Sequence, residues 1–175
     1  MMTKLILLAR IFLIQSTFMF VTMISFSQNS TKKIYHTEKL VNNSSIIIDG
    51  YLNDSSWELV PWGNDFIEVY PDENTSPTEK TKFKILYDEK YIYIALLALD
   101  SNPSTITSRL SRRDGFEGDR INVLIDSYHD LRTAFLFTVT AAGVRGDEII
   151  TNNGDDIDDS WNPIWTTKAK IITNG

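Results

Sequence analysis

Side chains able to do chemistry gather in three places along this chain. The first is Phe116, set between Gly115 and the Glu117-Gly118 pair just ahead of an apolar run. Glycine neighbours leave an aromatic ring uncovered, and a bare ring can stack on the apolar face of a sugar. The competing reading folds the ring back beneath its own loop. Asn122 and Thr138 are polar and lie opposite the apolar stripes of two strands, so they either line one shallow platform near Phe116 or are simply solvated.

The second place is Arg112-Arg113-Asp114 together with Asp119-Arg120. Read plainly, this is a solvated loop whose internal ion pairs have little net worth. A sharper reading has the arginines holding loop carboxylates, or a ligand carboxylate, through bidentate bonds. The third is Asn153-Gly154-Asp155-Asp156-Ile157-Asp158-Asp159. Calcium takes about six to eight oxygen ligands, and Asp155, Asp156 and Asp158 are the candidates for it. The spacing is not that of an EF-hand and no glutamate closes the loop, so an ordinary acidic loop is the first reading. An acid/base pair for glycoside cleavage comes last, because neighbours on a loop fix no separation between the carboxylates. His36 and His129 fall in a linker and a hairpin loop, without the partners of a metal or nucleophilic site.

The elements that must position these residues are short strands. From Ile46 onward apolar runs of a few residues recur between turn residues, which predicts an all-β domain. Lys80, Lys82 and Lys84 alternate with Thr81, Phe83 and Ile85, predicting a strand with one wet face near a sheet edge. After a turn at Asp88-Glu89-Lys90, Tyr91 to Leu99 is apolar on both faces, the pattern of a central strand. Ile121, Val123 and Ile125 form one face of the next strand, opposite Asn122, Leu124 and Asp126. A hairpin-like loop at 128–132 leads to a strand with Phe135, Phe137 and Val139 on one face and Leu136, Thr138 and Thr140 on the other. A turn at Ala142-Gly143 precedes a strand over 144–151, and 166–172 reads as the last. Trp57, on a brief helical turn capped near Asn53, reads as a core plug, whereas Trp62 sits in a loop between Pro61 and Gly63. The expected architecture is an antiparallel β-sandwich of the immunoglobulin or jelly-roll kind, with little helix and no internal repeat.

Length and composition bound the rest. The 175 residues suffice for one domain with a real core, and 42% hydrophobic with 23% charged residues argues against wholesale disorder. The first 27 residues carry only Lys4 and Arg10 as charges, then an apolar run from Ile11 to Phe26 ending in Ser25-Phe26-Ser27. That is the pattern of a secretory signal peptide, cut before Gln28; the run is short and polar-interrupted for a membrane span. Residues 28–45 are polar and read as a linker or a frayed first strand, leaving the sandwich to 46–175. Without the signal, 15 basic side chains face 23 acidic ones, a net charge of −8. No Lys/Arg-rich run is present, so nucleic acid is not an expected partner. The absence of cysteine rules out disulfide staples and a lipidated cut site, which suits a periplasmic or surface protein of a bacterium. Because the chain stops at Thr173-Asn174-Gly175 directly after an apolar run, we expect a sandwich lacking its last strands.

Three segments carry a family resemblance. IDGYLNDSSW (Ile48 to Trp57), Tyr87-Asp88 followed by Tyr91-Ile92-Tyr93-Ile94, and FEGDRINVLID (Phe116 to Asp126) resemble segments of family-9 carbohydrate-binding modules, a resemblance that runs from about Ile46 to the end of the chain. More narrowly, Arg112-Arg113-Asp114, the stretch Asp126 to Asp147, and Asp159-Ser160-Trp161 with Trp165 are similar to the N-terminal module of large Gram-negative envelope proteins with a barrel-like C-terminal region. The resemblance implies a non-catalytic module that holds a poly- or oligosaccharide end between two aromatic rings. Phe116 falls where the first ring belongs; the second falls beyond Gly175. Asn122 and Thr138 fall at polar contact positions, where the sugar-binding members carry charged residues. It also implies export to the periplasm or outer membrane and a parent linked to carbohydrate breakdown, of which this chain would be an accessory and not the enzyme. The alternative is a docking module that binds no sugar and packs against its own C-terminal region.

Overall fold

A computed structural model describes residues 32–41 and 45–172. The signal peptide expected over 1–27 lies outside those residues. Strands β1 (Glu38–Lys39), β2 (Thr81–Tyr87) and β3 (Ile92–Ala98) make one sheet in that order. Strands β4 (Arg120–Ile125), β5 (Ala134–Thr140), β6 (Arg145–Thr151) and β7 (Asp156–Asp158) make a second. These are the two layers of an all-β sandwich, and helix among the described residues is confined to short 3-10 turns. The pairings are antiparallel except that β1 lies parallel to β2.

Side chains in the turns set the register. In the β2–β3 hairpin, Asp88 Oδ1 accepts the backbone N–H groups of Lys90 and Tyr91 at 2.7 and 2.8 Å, and the Tyr93 hydroxyl donates to Oδ2. The Lys90 amide, the Tyr93 hydroxyl and the Tyr91 amide together hold the Asp88 carboxyl below its ordinary range. Between β4 and β5, Asp126 accepts from the amides of Asp130 and Leu131, and Asp130 from those of Arg132 and Thr133. Gly143, at φ +81°, makes the β5–β6 turn, where the Val144 N–H donates to Thr140 Oγ1 at 3.0 Å.

The buried core lies on one face of the first sheet. Leu86 and Ala95 meet Leu40, Trp57 and Val60, with Tyr35, Ile46, Leu52 and Tyr93 packed around them. Full burial of a large side chain such as Leu86 contributes about 1.5–3 kcal/mol by leaving water. Trp57 is delivered by a 3-10 turn at Ser55–Leu59 whose cap is Asp54, one residue after the Asn53 expected there. Ahead of it lies the Asp49-Gly50 bend, with the Tyr51 N–H donating to Asp49 Oδ1 and Gly50 at φ +88°.

Five strand expectations change. Lys84 does not face water: it is buried, its ammonium donates to the Trp57 carbonyl, and it stands 4.9 Å from the Trp62 ring centroid. A lysine stem covers apolar surface readily, and a carbonyl and a ring face receive the head. Strand β2 is the middle strand, although its outer side is covered only by two-residue β1 and a bridge from Phe83 to Gly63. Strand β3 is the outer strand of its sheet among the described residues and not a central one; Ala95 is buried but Ile92 is 63% exposed. Its apolar, β-branched character suits a half-covered strand as well as a covered one. Residues 166–172 alternate in exposure at first yet join no ladder; side chains hold this segment, with the Lys170 ammonium 3.6 Å from the Tyr51 ring centroid and bonded to its hydroxyl. Finally, the acidic stretch contains a strand, β7, whose pairing with β6 outweighs the low strand preference of aspartate.

Candidate functional site

Strand register assembles one row across the second sheet. Asn122 on β4 pairs with Thr138 on β5, and Thr138 pairs with Gly146 on β6. Residues in one cross-strand row share a face, so these three side-chain positions point the same way. Thr138 is buried and its hydroxyl donates to Asn122 Oδ1 at 2.9 Å, while Asn122 is exposed. That bond directs the amide NH2 of Asn122 away from Thr138 and leaves it a donor pair. Over Gly146 lies the tip of the Phe116 ring: a Cβ at residue 146 would stand 2.2 Å from its Cζ. Only glycine admits the ring so close to the strand.

Phe116, Asn122 and Thr138, singled out separately from the sequence, therefore share one face. The ring is half-buried and not bare, because Gly146 takes its tip and the Arg120 guanidinium stands 5.4 Å from its centroid. Arg120 belongs to the same face, two residues before Asn122 and opposite Thr140. The surface is shallow: exposed Arg120, Asn122 and Leu124 border buried Thr138 and Thr140. Such a face can offer hydrogen bonds, one ring edge and a cation. It holds no nucleophile with an adjacent base.

The opposite face of the same sheet is built differently. Phe135 and Phe137 pair with Ile149 and Asp147 of β6 and carry Trp161 and Trp165, with ring centroids 4.8 to 5.6 Å apart. Asp147 is 1% exposed; Arg113 Nη2 donates to its two carboxylate oxygens at 2.6 and 2.7 Å, and Trp165 Nε1 donates to Oδ1 at 3.0 Å. Asp114 continues the contact along the edge of β6, its N–H donating to the Arg145 carbonyl and its Oδ1 accepting the Asp147 N–H. The loop thus straddles β6, with Arg113 on one face and Phe116 on the other. Of the two charge-group readings, Arg113 follows the sharper one, but its carboxylate is on a strand. Sequence reasoning missed Asp147; it shares its strand face with Arg145, Ile149 and Thr151, so nothing in β6 itself marks the carboxylate as buried. Arg109 and Glu117 form an ordinary exposed pair.

The calcium candidates do not converge. Asp155 follows the 3-10 turn Asn152–Gly154, Asp156 and Asp158 lie in β7, and Asp158 accepts from the hydroxyl and amide of Ser160. Those two bonds, the hydroxyl's first, hold the Asp158 carboxyl below its ordinary range. Among the described residues, no group of three or more His, Asp or Glu side chains is placed to hold a metal ion.

A family model for carbohydrate family 9 binding domain-like proteins matches residues 47–171. The chain belongs to that family. Its match spans β2 to β7 and the aromatic cover of Phe135 and Phe137, leaving only β1 and its flanks outside, so this is a carbohydrate-binding-type module. No curated protein and no solved structure matches the chain.

Proposed function

We propose that this family-9-like module is non-catalytic and binds a poly- or oligosaccharide on the outward face of β4, β5 and β6. The observation that carries the reading is the row Asn122–Thr138–Gly146 with Phe116 laid upon it. Thr138 orients the Asn122 amide toward sugar hydroxyls, and the exposed part of the Phe116 ring meets the apolar side of the sugar. A shallow face without a nucleophile suits recognition and not turnover. Export through the segment at 1–27, to the periplasm or outer membrane, would bring the module to extracellular glycans as an accessory of a larger protein in polysaccharide use.

Isothermal titration against mono- and oligosaccharides, with and without calcium, tests this. Saturable heat with a short glycan, weakened about tenfold or more in Phe116→Ala, is the expected result. Unchanged affinity in that variant would remove Phe116 from the site. A second reading, a docking module that binds no sugar, draws on the burial of Thr138: its hydroxyl is already committed to Asn122 and is withheld from a ligand. It predicts no heat with any glycan in a folded sample.

A further inference from the structure

We propose that the outward face reads charge, and that its ligand is an anionic sugar whose carboxylate or sulfate group is received by Arg120. The inference rests on the reading of this face as a sugar-binding surface. Arg120 is exposed at the start of β4 and points the same way as Asn122. Among the described residues it makes no ion pair, while nearby charges are engaged: Arg109 with Glu117, Arg113 with Asp114 and Asp147, and the Asp119 carboxylate with the Thr107 N–H. A protein of net charge −6 that leaves a guanidinium uncompensated beside an amide donor presents a local anion site against its own overall field.

The guanidinium is also held in place. It lies beside the Phe116 ring, and that ring is pinned by its contact with Gly146. Phe116 is then a shelf for Arg120 as much as a surface for the sugar. A stacked guanidinium keeps its planar fork of donors free, which fits a carboxylate or sulfate in two-point contact. The acidic groups bordering this face are engaged or distant: Asp114, whose Oδ1 lies beside Gly146, accepts the Asp147 N–H and pairs with Arg113, and Asp126 accepts the amides of its own turn. Glu148 pairs with Leu136, which pairs with Leu124, four residues along β4 from Arg120. At about 3.3 Å per residue and 4.8 Å per strand, the two charges sit at opposite ends of the platform. A sugar lying across it would place its anionic substituent at the Arg120 end and its hydroxyls at Asn122.

The test is titration of the full chain with three oligosaccharides of equal length: neutral hexose, uronate, and hexose bearing a sulfate ester. At low salt an anionic arm is expected to bind at least about tenfold tighter than the neutral one, with the preference shrinking as salt rises. Whichever anionic arm binds tighter identifies the group. Arg120→Gln should bring the anionic-to-neutral ratio close to one, and Arg120→Lys should restore part of it; circular dichroism checks that both variants are folded. Equal binding of all three arms by the wild type overturns this inference and leaves the sugar-binding face standing. So does an Arg120→Gln variant that weakens every arm by the same factor, since Arg120 then only supports Phe116. Binding of none of the arms overturns both readings.

Discussion

Each sheet buries one charged side chain, and the two are treated in opposite ways. Lys84, in the three-stranded sheet, has a backbone carbonyl and the face of Trp62 for company. Asp147, in the four-stranded sheet, has a guanidinium, an indole N–H and a loop that crosses the strand edge to supply them. A lysine brings its own apolar stem and can be absorbed by a hydrophobic core. A carboxylate has no stem, so donors must be brought to it from elsewhere in the chain. The buried cation therefore belongs to the core, while the buried anion organises the loop that carries Phe116.

This contrast breaks most severely at Arg113. Arg113→Ala strands a buried carboxylate, and we expect a loss of about 3–5 kcal/mol in urea unfolding. Asp147→Leu combined with Arg113→Met should lose much less, because no charge remains unpaired; a double variant as unstable as Arg113→Ala would contradict the account. The matching change on the other sheet, Lys84→Met, keeps the stem and frees one carbonyl, at an expected cost of about 1–3 kcal/mol by the same measurement. If Lys84→Met proves the more damaging of the two, the asymmetry between the sheets is reversed.

The smallest effect is expected at the half-buried Asp88, whose carboxyl serves a turn and needs no charged partner. Its lowered pKa means that its contribution is fully present above its unfolded value, near the ordinary 3.8, and fades as pH falls through the lower folded value. The urea midpoint gap between wild type and Asp88→Ala should be constant from neutral pH down to about pH 5 and close progressively in stronger acid. A gap independent of pH down to about pH 2 would show that the charge is immaterial to the turn.

What was legible in the sequence was local. Strands β4 and β5 lie within a residue of their expected bounds because alternation, interrupted at Leu124 and Leu136, marks a half-buried strand. Trp57 was readable as core from the turn that delivers it. Phe116, Asn122 and Thr138 could each be singled out, but their meeting depends on the β4–β5–β6 register. Asp147 stayed hidden because its partner Arg113 is 34 residues away and its strand face, with Arg145 and Thr151 beside Ile149, reads as solvated. Lys84 misled because alternation marks which residues share a face without telling whether the face is wet. The stretch 166–172 misled because an extended segment with alternating exposure can be held by side chains alone, without a ladder.

The loop astride β6 also governs what the sheet can be joined to. Along one side of β6, residues 149–151 pair with β7, while Asp114 takes up the Arg145 carbonyl and the Asp147 N–H. The backbone groups that would otherwise template an incoming strand are thus already engaged. In a concentrated solution, where other chains would try to extend the sheet from this side, β6 is closed to recruitment, and its amide protons should be among the slowest in the sheet to exchange with solvent deuterium.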